Sequence, residues 1–318
     1  TEEEKFNPKK IDFYEIKNSK KICDLDISKF NSEDCKYTTL KRSKLLQFLI
    51  NGLKSEIIKY NYNIDQIEYD KGSIKLTFDN GEQIKCDYLI ISDGVFSKGK
   101  SLISSNKSNA IYNNSIAIRG SISKENLQFI NDENISVFLG PEFHYVVYPL
   151  NKDGNFNFIG ILNYKLSKND QKNYTLSNNN LFVETIKNKI SHKISPMIFE
   201  KIQNIKIFPV YVSKKFFETP NNIFLVGDAF FAFPPTFAQG ASQSIEGANE
   251  LYKNILKNND YFKIRSKRLK MIINRSNFNQ FIFHLSNPVM IFLRNIAMKF
   301  LIKNKNFLEN YLGKIYKN

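Results

Sequence analysis

Alternating apolar and polar residues predict two short strands at the start of the chain. These strands flank a turn at residues 18–20. Their apolar positions are Ile11, Phe13 and Ile16, then Cys23, Leu25 and Ile27. Residues 42–59 have helical spacing instead, which places six aliphatic side chains on one face. These side chains are Leu45, Leu46, Leu49, Ile50, Leu53 and Ile57.

A series of strands follows this predicted helix. The pattern predicts strands at 64–69, 73–78, 83–86 and 88–91. Asn80-Gly81 lies between two of them and is typical of a hairpin turn. The run 88–91 is apolar throughout and ends in Ser92-Asp93-Gly94, which favours a parallel strand buried on both faces.

Strands dominate the middle of the chain and helices its end. We predict strands at 115–121, 135–139, 144–149, 157–163 and 206–213, and helices at 181–190 and 196–203. A second apolar run, 222–226, ends in Gly227-Asp228, and a helix starts at Ala241 after a loop. The remaining residues are helical with a break at Asn287-Pro288, so the pattern indicates a mixed α/β fold.

The composition is that of a folded, basic protein. Its 42% hydrophobic residues, with 28 Phe and 16 Tyr in 318 residues, exclude a disordered chain. The net charge is +15, and residues 251–318 hold 14 Lys and Arg against Asp260 and Glu309. No recognition motif accompanies this charge, so we expect no nucleic-acid partner. A solvated helical surface and contact of these basic helices with a membrane both remain open.

The cysteine and histidine patterns argue against a disulfide framework and a metal site. Cys23, Cys35 and Cys86 have no CxxC spacing. We therefore expect no metal and a reducing, cytoplasmic compartment. The apolar segment 287–303 is interrupted by Arg294 and Lys299, and it is too short to span a bilayer.

Two of the apolar strands end in an Asp beside a Gly, namely at Asp93-Gly94 and Gly227-Asp228. Open α/β sheets bind ligands outside the carboxyl ends of their strands. Such an Asp accepts hydrogen bonds from ribose, and Gly lets the backbone approach a diphosphate closely. Either pair alone is typical of an ordinary turn. The second, however, is followed by Gln239-Gly240 at a helix N-terminus, where unpaired N–H groups stabilise an anion.

Residues 227–251, GDAFFAFPPTFAQGASQSIEGANEL, resemble the motif GDAAHxxxPxxxQGxxxxxEDAxxL of class A FAD-dependent aromatic hydroxylases. The form of the motif is most similar to the salicylate hydroxylase and 6-hydroxynicotinate monooxygenase branch. Lys41-Arg42 and the leucines after it resemble the family's R-x-x-L-x-x-x-L helix, and residues 86–100 resemble its DG-x-x-S-x-x-R motif. Residues 116–120 and 140–150 resemble strands of its middle domain, so the resemblance covers nearly the whole chain.

The resemblance implies a two-domain flavoprotein, in which a Rossmann-like FAD-binding domain is interleaved with a β-sheet substrate domain. The implied bounds are 1–40 for strands of the substrate domain, 41–108 and 215–256 for the FAD-binding domain, 109–214 for the β-sheet domain and 257–318 for C-terminal helices. The family reduces FAD with NAD(P)H and transfers oxygen from O2 to an electron-rich ring. We therefore expect a small aromatic substrate and a monomer or homodimer.

The resemblance also assigns roles to single residues. The implied cofactor-binding residues are Arg42, Asp93, Gly94, Gly227, Asp228, Pro235, Gln239, Gly240 and Ala241. The implied substrate-binding residues are Arg119, His144, Tyr148 and Phe231. His144 and Tyr148 lie four apart on a predicted strand and face the same side, so they are candidates to bind or deprotonate a hydroxyarene. A hydrogen-bonded pair on the sheet surface, and an ordinary salt bridge at Arg119, are the alternatives. His192 and His284 are interpreted as structural.

The sequence departs from the family pattern in four places. It has no Gly-x-Gly-x-x-Gly, and its first glycine is Gly52, so we expect a nucleotide-binding βαβ unit to precede Thr1 and the chain to be N-terminally incomplete. Phe231 stands at the family's His, Gly247 at its Asp and Lys100 at its Arg. Two alternatives stay open. One is a truncated, non-catalytic remnant. The other is a membrane-associated hydroxylase of a ubiquinone precursor whose basic C-terminal helices rest on anionic lipid.

Overall fold

The protein is described by a computed structural model. It covers residues 4–30, 36–70, 72–104, 110–127, 130–152, 154–173, 175–220, 222–257 and 260–316, and Cys35 lies outside these residues. The predicted mixed α/β class is confirmed. The chain folds as two compact units. The first unit consists of Thr1–Leu53, Asn114–Pro209 and Phe281–Asn318, and the second consists of Lys54–Asn113 and Val210–Gln280.

Strands predominate up to residue 225 of the described chain, and helices follow from there to its end. The strands are β1 (Lys5–Phe6), β2 (Lys10–Glu15), β3 (Lys21–Asp26), β4 (Thr39–Leu40), β5 (Ile64–Asp70), β6 (Ser73–Phe78), β7 (Gln83–Cys86), β8 (Leu89–Ile91), β9 (Ala110–Ser123), β10 (Ile135–Gly140), β11 (Phe143–Pro149), β12 (Asn155–Asn163), β13 (Gln203–Ser213) and β14 (Ile223–Leu225). The helices are α1 (Arg42–Asn51), α2 (Lys98–Ile103), α3 (Asn180–Ser191), α4 (Pro196–Phe199), α5 (Asp228–Phe231), α6 (Gly240–Lys257), α7 (Tyr261–Phe283), α8 (Pro288–Leu301), α9 (Lys305–Leu308) and α10 (Lys314–Tyr316). Within the described residues, no helix is both long enough and apolar enough to cross a bilayer.

A seven-stranded sheet organises the first unit, with the strand order β13-β9-β12-β11-β10-β2-β3. Strands β10 and β2 are parallel, whereas β9, β12, β11 and β10 form an antiparallel series. One face of the sheet carries a row of stacked aromatic rings from four neighbouring strands. Tyr14 stacks on Phe138 at 4.8 Å, Phe138 on Tyr145 at 4.5 Å, and Tyr145 on Phe158 at 5.3 Å between ring centroids. Because strand side chains alternate between faces, the other face is free for different chemistry.

The second unit contains two small sheets, β5-β6-β7 and the parallel pair β14-β8. Its hydrophobic core joins both sheets to helices α5, α6 and α7. Ile74, Ile223, Leu225, Ala229 and Leu251 are all buried in this core. The β14-β8 pair is therefore covered on the face that carries Leu89 and Ile91.

Three helices differ from the expectations set by the sequence. The predicted helix at 42–59 ends at Asn51, because Gly52, a poor helix former, follows it, and none of its residues is buried. The predicted helix at 196–203 ends at Phe199, and residue 203 already begins β13. A short helix, α5, occupies part of the predicted loop after Gly227.

The expectation that the run 88–91 is buried on both faces is wrong. Ile90 is 51% exposed and Tyr88 is 48% exposed, whereas Leu89 and Ile91 are buried. The described residues therefore cover only one face of the β14-β8 pair. An apolar run indicates that a strand belongs to a sheet, but it does not show which elements cover that sheet.

The close approach of β9 and β13 depends on Gly120. A Cβ atom at this position would lie 2.4 Å from Cγ2 of Ile202 and 3.0 Å from the backbone oxygen of Gln203. We expect Gly120→Ala to lower the free energy of unfolding by about 1–3 kcal/mol, measured by urea denaturation, because the neighbouring backbone must shift. Gly52→Ala is the control, since its Cβ would meet nothing nearer than the Leu49 oxygen at 3.6 Å. Equal losses in the two variants would contradict this account.

Candidate functional site

The pairing of β8 with β14 brings the two Asp-Gly pairs to one edge of a sheet. The strands are parallel, with Leu89 opposite Ile223 and Ile91 opposite Leu225. The N–H of Val226 extends the pairing by donating to the Ile91 oxygen at 2.9 Å. Because both strands run in the same direction, residues 93–94 and 227–228 follow them at the same, carboxyl end.

The first Asp-Gly pair, Asp93-Gly94, lies just before helix α2, and Asp93 caps the helix. The Asp93 carboxylate accepts a hydrogen bond from the N–H of Gly99 at 2.9 Å, and the Ser97 hydroxyl accepts one from the N–H of Lys100 at 3.0 Å. A Cβ atom at Gly99 would lie 3.0 Å from the Ile91 side chain. Helix α2 therefore packs closely against the end of β8, and this packing holds Asp93 in place.

Lys100 joins the two motifs across 129 residues of sequence. Its buried ammonium donates a hydrogen bond to the backbone oxygen of Ala229 at 2.8 Å. Burial lowers the pKa of Lys100, and the charge of Asp93 partly opposes this effect. The lysine thus provides a single point charge at the position where the resemblance suggests an arginine.

The second pair has a backbone that requires glycine. Gly227 has φ 64° and ψ −140°, and a Cβ atom there would lie 3.0 Å from the Ser244 hydroxyl of α6. Its carbonyl accepts hydrogen bonds from the N–H groups of Phe230 and Phe231. Asp228 begins the short helix α5, and its side chain is exposed.

Helix α6 begins beside this turn and presents its N-terminus to open space. Gly240 and Ala241 are exposed, and a Cβ atom at Gly240 would meet nothing within 4 Å. Pro235 is also exposed, whereas Gln239 is buried and accepts a hydrogen bond from Gln243 at 3.2 Å. The free N–H groups at a helix N-terminus suit an anionic ligand. These residues fit FAD, since accessible glycines, an exposed carboxylate and an open helix N-terminus lie within one motif.

A buried charge network that the sequence did not reveal holds α6 against α7. Glu246 accepts hydrogen bonds from Arg265 and from Arg268, each at 2.8 Å. Arg265 also donates to the side-chain oxygen of Gln243 at 2.8 Å. A Cβ atom at Gly247 would lie 3.1 Å from Nε of Arg265, so the glycine leaves room for the guanidinium group. Gly247 is one of the positions at which the sequence departs from the family motif.

Two other candidate residues, Phe231 and Arg42, lie away from the Asp-Gly turns in sequence or in surroundings: one is in a hydrophobic core and the other is exposed. Phe231 is only 8% exposed, and its ring lies 4.4 Å from that of Phe216 in the hydrophobic core of the second unit. Arg42 is exposed at the start of α1, which belongs to the first unit. The substrate contact of Phe231 and the cofactor contact of Arg42 both stay predictions.

In the first unit, the face opposite the aromatic stack carries the other candidates. His144 pairs with Ile161, and Tyr148 pairs with Asn157, on neighbouring strands β11 and β12. Arg119 on β9 pairs with Ile159, which also pairs with Val146 of β11. Since paired residues share a face and strand positions two apart do so as well, the sheet places Arg119, His144 and Tyr148 on one face.

Tyr148 and Arg119 mark the more open end of this face. The Tyr148 hydroxyl accepts a hydrogen bond from the Asn157 amide at 2.8 Å. Burial raises the pKa of Tyr148, while the Asn157 hydrogen bond and the charge of Arg119 oppose that rise. The exposed Arg119 guanidinium lies 5.6 Å from the centre of the Phe208 ring. The phenol is therefore neutral at pH 7 and keeps its own proton to donate.

At the other end, His144 belongs to a buried chain of hydrogen bonds. Its Nδ1 lies 2.6 Å from Nε2 of His284, and Nδ1 of His284 lies 2.7 Å from the side-chain oxygen of Asn163. An amide oxygen only accepts, so His284 donates from Nδ1 and accepts at Nε2. His144 must then donate from Nδ1, which leaves the lone pair on its Nε2. His284 and Asn163 were missed as site residues because each is more than 100 residues from one of its partners.

His144 and His284, the two histidines of this hydrogen-bond chain, are both neutral at pH 7. Burial, together with His284, holds the pKa of His144 well below its usual value. Burial also lowers the pKa of His284 to about 4, which outweighs a hydrogen bond involving the Ile161 backbone. An uncharged imidazole with a defined tautomer is the form that acts as a proton acceptor.

Comparisons with known proteins identify the family. The profile of the FAD binding domain family matches residues 32–258. HpxO from Klebsiella pneumoniae, solved with FAD and uric acid, has a TM-score of 0.80 and 14% identity, covering 99% of this chain and 82% of its own. A salicylate hydroxylase solved as a substrate complex has a TM-score of 0.76 and 13% identity, and the match covers 96% of this chain and 82% of the hydroxylase.

A third solved structure is 2,6-dihydroxypyridine-3-hydroxylase from Arthrobacter nicotinovorans. It has a TM-score of 0.68 and 11% identity, and the match covers 88% of this chain and 75% of the other. No curated protein sequence gave a significant match. At these identities the structural likeness shows the fold, whereas the family profile spans most of the sequence. The chain therefore belongs to the FAD binding domain family, FAD is its cofactor, and its fold is similar to that of solved flavoprotein hydroxylases.

Proposed function

We propose that the protein hydroxylates a small hydroxyarene with O2, using FAD that is reduced by NAD(P)H. The observation that carries this proposal is the polar set Arg119, His144 and Tyr148 on one face of the large sheet. HpxO was solved with uric acid, and salicylate hydroxylase was solved with its substrate, so proteins of this fold bind small aromatic molecules. That likeness supports the same class of substrate here.

Residues of the second unit hold the cofactor. Gly94 and Gly227, both with positive φ, let the backbone approach the diphosphate closely. The exposed Asp228 carboxylate accepts hydrogen bonds from hydroxyl groups of the cofactor. The N–H groups of Gly240 and Ala241, at the positive end of α6, stabilise negative charge on the reduced ring system. When bound, FAD supplies the oxygen-transfer chemistry, and the protein supplies orientation and electrostatics.

The sheet face offers a place for one aromatic ring. His144 and Tyr148 are four residues apart, so their Cα atoms are roughly 13 Å apart along β11. Val146 lies between them on the same face and is partly buried. A ring resting on Val146 has His144 at one edge and the Tyr148 phenol at the other. Arg119 attracts a carboxylate or a second oxygen anion on the substrate.

His144 acts on the substrate hydroxyl. Its Nε2 lone pair accepts the hydroxyl proton as a hydrogen bond, because the His284–Asn163 chain holds the other ring nitrogen as the donor. As oxygen adds to the ring, the hydroxyl becomes acidic enough for its proton to move to Nε2, although burial makes His144 a weaker base than a free imidazole. His284 is a positioning residue in this scheme, since it fixes the tautomer and the orientation of His144.

The first test asks whether the protein binds flavin and hydroxylates an aromatic compound. We expect the purified protein to show flavin absorbance, and NAD(P)H oxidation to yield a product that carries isotopic oxygen from labelled O2. Asp228→Ala should lower FAD content about tenfold or more, because a charged acceptor is lost. The control, Asp70→Ala, changes an exposed Asp of the same unit and should have no effect. A colourless wild-type protein would refute the proposal.

The second test concerns the proton acceptor. His144→Gln should lower kcat about 100-fold with a smaller change in KM, because general-base assistance is lost while the ring still binds. His192→Gln is the control, since His192 is exposed at the end of α3. Equal kcat values for His144→Gln and the wild type would rule out this role.

The buried histidines also make stability depend on pH. The folded-state pKa of His284 is about 4, below the unfolded value, so the unfolded chain binds more protons between pH 6.5 and 4. Stability should therefore fall as pH drops through this window, with His284 contributing about 3 kcal/mol. The stability advantage of the wild type over His284→Gln should narrow accordingly in urea titrations. A constant difference between pH 7 and pH 4 would contradict this account.

A further inference from the structure

Helix α8 turns an arginine towards the protein and a wide apolar side outward, unlike an ordinary surface helix. Arg294 is 7% exposed and faces the protein, where it donates to the Ile282 oxygen at 3.3 Å and to the Asn295 side chain at 2.9 Å. Asn295 in turn donates to Glu15 of β2 at 2.8 Å. The helix is therefore attached to the first unit through hydrogen bonds of its polar residues.

The outward side of α8 is apolar. Phe292 is 63%, Leu293 51% and Phe300 72% exposed. The other exposed apolar side chains of the helix are Val289, Met290, Ile296, Ala297 and Leu301. A surface helix of a protein surrounded by water normally turns such residues inward. An apolar stripe this continuous marks an interaction surface.

Positive charge borders this stripe. Lys299, Lys303 and Lys305 are all exposed at the C-terminal end of the helix and just after it. Residues 287–308 contain no Asp or Glu, and the whole chain has a net charge of +15. Phe and Leu on one side of a helix, with lysines at its border, are typical of a helix that lies in a lipid interface.

We propose that α8 docks the protein on an anionic phospholipid surface, with the helix axis parallel to the membrane. Its 14 residues are fewer than the roughly 20 needed to span a bilayer, so the helix rests in the headgroup region. A second copy of the chain fits this surface less well. Two copies would bring the same lysines together without acidic partners in the segment, whereas anionic lipid neutralises them.

The experiment is co-sedimentation with vesicles of phosphatidylcholine, with and without phosphatidylglycerol. We expect the full chain to bind the anionic vesicles at least about tenfold more tightly than the neutral ones, with weaker binding at high salt. Phe292→Ser/Phe300→Ser should weaken anionic binding about tenfold or more. Lys299→Glu/Lys303→Glu should weaken it to a similar degree and remove the preference for anionic lipid.

Matched control variants distinguish binding through α8 from non-specific binding by other exposed apolar or basic residues. Phe48→Ser/Leu181→Ser removes two apolar side chains that are 76% and 78% exposed elsewhere in the first unit. Lys165→Glu/Lys168→Glu makes the same change of charge at exposed lysines distant in sequence from α8. Both variants should keep wild-type binding, and circular dichroism should show that every variant is folded.

Several results would overturn the proposal. These are absence of binding to anionic vesicles, equal loss in the control variants, or a dimer in sedimentation equilibrium that Phe292→Ser/Phe300→Ser abolishes. Vesicle binding requires neither bound FAD nor turnover, so its failure is distinguishable from failure of the proposed hydroxylase reaction.

Discussion

The parallel pairing of two three-residue strands, β8 and β14, is the constraint on which the candidate cofactor site depends. It places two Asp-Gly turns from distant parts of the sequence at the same sheet edge. The buried Lys100 ammonium links the segments that follow the two strands, because its hydrogen bond to the Ala229 carbonyl offsets part of the hydration that it loses. Glu246 and its two arginine partners then hold helix α6, whose N-terminus opens beside the second turn.

The two faces of the large sheet in the first unit carry different kinds of residue. Packing residues lie on one face, and the candidate substrate-binding residues lie on the other. One face carries the stacked rings of Tyr14, Phe138, Tyr145 and Phe158, which are all buried and supply packing. The other face carries a histidine, a phenol and a guanidinium. The period of two along each strand allows both arrangements in the same strands.

The sequence predicted the strands well because alternation and turn residues are local signals. Strands β2, β3, β5, β6, β7, β11 and β12 lie within a few residues of their expected bounds. Helix α1 was predicted too long, because its aliphatic spacing continues past Gly52, where the backbone ends the helix. The 227–251 motif indicated the family on its own, since the spacing of glycines, prolines and acids within one short segment is a local property.

Sequence patterns did not predict the contacts between residues that are far apart in the chain. His284 has no local feature that distinguishes it from a structural histidine, and only the end of α7 near β11 and β12 makes it part of a hydrogen-bond chain. Likewise, the apolar residues of α8 indicated a helix, but not that its arginine would face the protein and its phenylalanines the surface. The sequence by itself determined the α/β class, the family and the flavin motifs. Tertiary structure alone decided the tautomer of His144 and which face of α8 is exposed, because both depend on partners supplied by remote parts of the chain.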